Sequence, residues 1–174
     1  MLLPRFEYRR PGSLLEALVL LGDAPGAHAL AGGTDLLVDM RERRREPRVL
    51  VDVSTLPELR GIAVEDGALR IGGGATVGEV LASPLVTERL PALRRAAHDF
   101  ADYLTRNKAT VGGNLANASP GADLVVPLLA LEARVVLASE GRERTLALGP
   151  EYRVKPDPDF FAEVRALLGE AAVA

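Results

Sequence analysis

The sequence predicts an α+β fold in two lobes. Three observations carry this. Between positions 13 and 53 the order is helix, strand, glycine loop, helix, strand, which is the pattern of a small parallel unit. From position 59 the pattern changes to a hairpin followed by short helices. Two glycine-rich loops, Ala31-Gly32-Gly33-Thr34-Asp35-Leu36 and Thr110-Val111-Gly112-Gly113-Asn114-Leu115, lie far apart in the chain, one in each part. The first lobe is expected over 1–58 and the second over 59–150, with a tail over 151–174.

The elements follow in order. Ser13-Leu14-Leu15-Glu16 is a capping box, and Leu14, Leu15, Leu18, Val19 and Leu21 continue at helical spacing until Gly22. Residues 28–31 read as a short strand entering the first glycine loop, 36–43 as a helix, and 49–53 as an apolar strand. Residues 62–65 and 68–71 flank Asp66-Gly67, the strongest short hairpin signal. Thr76 and Glu79 have capping-box spacing ahead of a helix reaching 81 or 82. Pro84 suits a helix start, and 90–97 is helical by pattern. The chain is expected to be loop-like around Thr110. Residues 123–132 then read as a helix with Pro127 in its first turn, where proline is tolerated. Residues 134–137 and 143–147 are strands joined at Gly141, and 160–168 can form a last short element.

At 174 residues, with 48% hydrophobic and 26% charged content, the chain can bury a core of ordinary globular size. A net charge of −3 argues against a nucleic-acid surface. There is no cysteine, so the chain can form no disulfide and cannot itself ligate an iron–sulfur cluster through thiolates. The longest apolar run, 124–131, is too short to span a membrane and contains Pro127. The first residues lack a basic segment followed by an apolar core, and a cytoplasmic location is expected. His28 and His98 are the only histidines, and neither makes a metal-ligand spacing with nearby carboxylates.

Glycine pairs beside small hydroxyl and amide residues let backbone N–H groups approach an anion closely. Two such loops can close on a diphosphate from both sides. The third cluster, Gly72-Gly73-Gly74-Ala75-Thr76, does not fit G-x-G-x-x-G because position 77 is Val, so a Rossmann dinucleotide fold is unsupported.

The stretch Arg106-Asn107-Lys108-Ala109-Thr110-Val111-Gly112-Gly113-Asn114-Leu115-Ala116-Asn117-Ala118-Ser119-Pro120-Gly121-Ala122-Asp123 closely resembles the flavin loop of the FAD-binding subunit of molybdenum hydroxylases, the carbon monoxide dehydrogenase and xanthine dehydrogenase type enzymes. Ala31 to Leu36 resembles that family's other pyrophosphate loop, and the resemblance runs over about 4–164. It implies FAD as the cofactor of this chain. [2Fe–2S] clusters and a molybdenum cofactor would reside in partner subunits: an iron–sulfur small subunit and a molybdenum large subunit. The chain would carry no catalytic acid, base or metal ligand, and would relay electrons through FAD to an external acceptor.

The same resemblance assigns roles. Ala31, Gly32, Gly33 and Thr34 would face the diphosphate. Asp35 would turn into the following helix start, where a carboxylate is favoured. Thr110, Val111, Gly112 and Gly113 would give close backbone approach, and Asn114 would offer its amide to phosphate or ribityl oxygens. Asp123 would accept from a ligand hydroxyl or cap a helix. Phe100 would lie near the nucleotide or in the core. Ile71, Gly73 and Thr76 are secondary candidates. The departures are Asp102-Tyr103-Leu104-Thr105 ahead of Arg106, and the expected absence of the family's C-terminal α+β domain. A flavin-free scaffold and a free-standing flavoprotein reductase remain open alternatives.

Overall fold

The computed structural model describes residues 2–119, 122–139 and 142–147. Strands β1 (Glu7–Arg9), β2 (Ala27–Leu30) and β3 (Val49–Asp52) form a parallel sheet in the order β1-β3-β2. Ala27 to Leu30 run in register with Val49 to Asp52. β3 is central, so Leu50, Val51 and Asp52 are all buried, as a continuous apolar run predicts. No sequence pattern marks β1, which is three exposed residues, Glu-Tyr-Arg, at a sheet edge.

Helix α1 (Leu14–Asp23) starts where Ser13 Oγ accepts the Glu16 N–H at 3.2 Å. Gly22 lies inside the helix rather than ending it. Ala17 packs with Val51, Val53 and Leu56 in a first hydrophobic cluster. Helix α2 (Leu36–Arg41) follows the first glycine loop and buries Met40 completely.

The Tyr8 hydroxyl donates to the Asp52 carboxylate, tying the edge strand to the central one. The Ser54 N–H donates to the other carboxylate oxygen at 2.9 Å. Burial alone would raise the Asp52 pKa. Hydrogen bonds from Ser54 and Tyr8 overcome this and hold the carboxyl below its ordinary value of 3.8. A lowered folded-state pKa stabilises the fold above the unfolded value, and that contribution is lost as pH falls through the folded value. Urea midpoints are therefore expected to drop below about pH 4, and to drop less in Asp52→Asn.

A single 3₁₀ turn (Pro57–Leu59) leads to the hairpin of β4 (Ile62–Glu65) and β5 (Ala68–Ile71), with Ile62 opposite Ile71. Asp66 and Gly67 have φ of 49° and 80°, the two left-handed residues of a type I′ turn. Helices α3 (Val77–Ala82), α4 (Pro84–Arg89), α5 (Pro91–Asp99), α6 (Tyr103–Arg106), α7 (Val111–Asn117) and α8 (Val125–Ala130) follow. Val77, Val80, Val86, Leu93, Val111 and Leu124 form the heart of a second cluster. The last described elements, β6 (Arg134–Ser139) and β7 (Arg142–Ala147), pair antiparallel. The expected turn at Gly141 and the element over 160–168 lie outside the described residues.

The expectation of a loop around Thr110 is corrected. Gly112 and Gly113 are the second and third residues of α7. Each costs about 1 kcal/mol of helix propensity. Thr110 offsets part of this by capping the helix, its Oγ1 accepting the Gly113 N–H at 3.1 Å. Asp123 is not a helix cap: Leu124 occupies the N-cap of α8, and Pro127 is in the first turn as predicted.

Candidate functional site

The two glycine loops meet. A Cβ on Gly32 would lie 2.0 Å from the Lys108 carbonyl oxygen and 3.1 Å from Ala109 Cα. Only a residue without a side chain allows this approach. Around the contact is a cavity of about 240 Å³. Ala31 and Gly32 enter it from the end of β2, and Ser54 from the end of β3. This is the carboxyl edge of the parallel strands, where ligands of open α/β sheets bind. Asn107, Lys108 and Thr110 form the opposite wall, with Arg60 and Thr76 between.

The start of α3 fixes that wall. Thr76 forms an isolated antiparallel bridge with Thr110. The Val77 N–H donates to the Ala109 carbonyl and the Val111 N–H to the Ala75 carbonyl, each at 2.9 Å. Thr76 and Glu79 make the full reciprocal capping box. Gly78 leaves room for the Asn107 side chain, whose Oδ1 would be 2.6 Å from a Cβ there. Arg106 Nη1 donates to the carbonyls of His98 at 2.6 Å and Phe100 at 3.2 Å, holding the turn into α6.

The loops differ in what their amides do. In the second, the Gly112 N–H donates to the Gly73 carbonyl at 2.7 Å and the Gly113 N–H to Thr110 Oγ1. These donors, with that of Val111, are taken up by the protein. In the first, the N–H groups of Gly32, Gly33, Thr34 and Asp35 donate to no other described residue. Gly33 has φ of 73°, and a left-handed residue in such a run turns successive N–H groups toward one anion. The backbone amides left available to a ligand among the two loops are therefore those of residues 32–35.

The remaining sequence candidates are placed as follows. Asp35 is the N-cap residue of α2, but its side chain makes no capping hydrogen bond. Val111 is buried in the second cluster, and Phe100 packs against that cluster. Asp123 is exposed on the turn before α8. Asn114 Oδ1 is buried without a hydrogen-bond partner among the described residues. A buried orphan carbonyl oxygen calls for a donor, so Asn114 is suited to accept from a ligand hydroxyl as well as to donate. Arg60, Ser54, Asn107 and Lys108 were not among the sequence candidates. Only Asn107 and Lys108 had a local signal, since they lie within the quoted motif.

A parallel sheet ending on a glycine loop with free amides, faced by two capped helix starts and two cations, defines a domain for an anionic ligand of nucleotide type. Residues 4–160 match the family of the FAD binding domain in molybdopterin dehydrogenase, and the chain belongs to it. The carbon monoxide dehydrogenase medium chain of Hydrogenophaga pseudoflava is 42% identical over 171 residues, covering 95% of this chain and 60% of that one. The xanthine dehydrogenase FAD-binding subunit of Escherichia coli O157:H7 is 41% identical over 133 residues, 76% of this chain and 46% of its own length. The carbon monoxide dehydrogenase structure from H. pseudoflava superposes with TM-score 0.82 at 41% identity, over 85% of this chain and 52% of that one. Quinoline 2-oxidoreductase from Pseudomonas putida 86 gives 0.82 at 34%, with the same coverage. The chain thus spans about half to three fifths of the length of these relatives. Among the described residues no helix is long and apolar enough to cross a membrane, and no three His, Cys, Asp or Glu side chains could hold a metal ion.

Proposed function

We propose that this chain is the FAD-binding electron-transfer subunit of a cytoplasmic molybdenum hydroxylase complex of the carbon monoxide dehydrogenase or xanthine dehydrogenase type. In it, a lobe over 1–58 and a lobe over 59–150 hold the flavin nucleotide between them. The observation that carries this reading is the Gly32–Lys108 contact. It brings two glycine loops, distant in sequence, to one cavity with free amides and two cations.

The residues suit FAD. The cavity, about 240 Å³, is below the ~300–1,000 Å³ of whole-ligand pockets, so it matches the diphosphate segment rather than the entire dinucleotide. The N–H groups of Gly32, Gly33, Thr34 and Asp35 would hold the diphosphate. Thr110, Val111, Gly112 and Gly113 would keep the opposing wall rigid. Asn114 would accept from a hydroxyl of the ligand, and Asp123 would do so further along the nucleotide. Bound FAD would supply the electron relay between the [2Fe–2S] clusters of an iron–sulfur small subunit, fed by a molybdenum large subunit, and an external acceptor. The chain's own work is binding, orientation and electrostatic tuning of the flavin.

The test is a visible absorbance spectrum of the purified chain after excess FAD and gel filtration. A retained flavin band is expected, with cysteine-rich and molybdenum-containing subunits copurifying from the native source. No retained flavin would overturn the reading in favour of a flavin-free scaffold. Retained flavin without those subunits would favour a free-standing reductase.

A further inference from the structure

Arg60 belongs to neither glycine loop. It follows the 3₁₀ turn and reaches the cavity from the side of Gly74. Its Nη1 lies 3.5 Å from the Ser54 carbonyl oxygen and 3.4 Å from that of Gly74, both at the long limit of hydrogen bonding. Its close partner among the described residues is Glu79, whose Oε1 accepts from Nη2. Glu79 is itself anchored, because its Oε2 accepts the Thr76 N–H at 2.7 Å and the Thr76 hydroxyl at 3.1 Å. The carboxylate therefore stays in place whether or not Arg60 is paired to it. Lys108, across the cavity, has no ion pair among the described residues. Among the described residues that line the cavity the charged ones are Arg60 and Lys108, both cations, and Glu79, beside the lining, engages Arg60.

We infer that Arg60 is a diphosphate clamp whose charge Glu79 neutralises while the ligand is away, so that the ion pair acts as a built-in competitor and sets the affinity. The inference rests on the FAD reading above. Arginine suits the part, because its planar fork can bond a phosphate with some N–H groups while others remain on a carboxylate. Both side chains are partly exposed, at 39% and 45%, so solvent screening keeps the effect moderate.

The test measures the affinity of the full chain for FAD, for inorganic diphosphate and for riboflavin, which carries no phosphate. Arg60→Gln is expected to weaken FAD and diphosphate about tenfold and to flatten their salt dependence, with riboflavin unchanged. Arg60→Lys should restore part of the loss. Glu79→Gln keeps a capping residue at the third helical position and should tighten FAD about threefold. Wild type that binds FAD with Arg60→Gln equal to it would overturn the clamp and leave the flavin reading standing. Equal weakening of riboflavin would make Arg60 a structural residue and overturn the clamp too. Diphosphate binding that depends on Arg60, in a chain that holds no FAD, would support the clamp and defeat the flavin reading. Binding of neither would defeat both.

Discussion

Gly32→Ala is expected to push the two glycine loops apart and abolish flavin retention. The added methyl would lie 2.0 Å from the Lys108 carbonyl oxygen and 2.7 Å from its carbon. These are main-chain atoms, and they cannot swing aside. The Lys108 and Ala109 N–H groups both donate to the Thr105 carbonyl, at 3.0 and 2.7 Å, and the Ala109 carbonyl accepts from Val77. Relief requires a shift of the whole 105–110 segment or of the end of β2. A cost of about 3 kcal/mol follows, at the upper end of overpacking effects. Gly22→Ala is the control. It sits inside α1 with no described residue within 4 Å of the added carbon, and alanine there should stabilise by up to about 1 kcal/mol. Urea denaturation of both variants, with flavin retention on gel filtration, measures the difference. Wild-type stability and retention in Gly32→Ala would show that the loop contact does not build the site.

What was legible in the sequence was local. The Asp66-Gly67 hairpin, the Thr76 capping box, and Pro127 in a first turn all depend on neighbours within a few residues, and each is found where the sequence puts it; at Ser13 only the forward half of the expected box forms, because the Glu16 carboxylate accepts the Gly12 N–H instead. β1 was invisible because an exposed three-residue edge strand has no periodicity to read; its pairing with β3 comes from tertiary context. α7 was misread because two adjacent glycines signal a loop, while the Thr110 cap and the bonds to 73–75 that hold the helix are either a single residue or distant. Family resemblance pointed to both glycine loops. It could not separate glycines that free an amide for a ligand from those that admit another stretch of backbone. Gly72 and Gly112 are of the second kind, facing Leu59 and Gly73, whereas Gly32 does both, packing against Lys108 while its N–H donates to no other described residue. Arg60 was missed because a lone arginine after a proline turn carries no pattern; only the fold brings it to Glu79 and the cavity.

The adjacent pair Gly112 and Gly113 puts this distinction to a direct test. A methyl on Gly112 would meet the Gly73 oxygen at 2.8 Å, its Cα at 3.1 Å and its carbonyl carbon at 3.2 Å, all backbone. That same oxygen accepts the Gly112 N–H at 2.7 Å, so the methyl would press on the acceptor and weaken the bond together. The displacement would pass into Ala75 and the Thr76–Thr110 bridge, which carry the cavity wall. Gly112→Ala is therefore expected to cost about 2–3 kcal/mol and to lose FAD. Among the described residues a methyl on Gly113 would meet only Thr110 Oγ1, at 2.8 Å. A hydroxyl can turn about its χ1, giving up the cap at about 1 kcal/mol, while alanine regains about 1 kcal/mol of helix propensity. Gly113→Ala should thus stay within about 1 kcal/mol of wild type and keep most of its flavin affinity. Urea midpoints and FAD titrations of the two variants side by side decide the matter. Equal losses would mean that the whole loop, rather than the atoms facing each glycine, sets the tolerance. A sharp split would show that Gly112 is required by Gly73 and that Gly113 is required only by the cap.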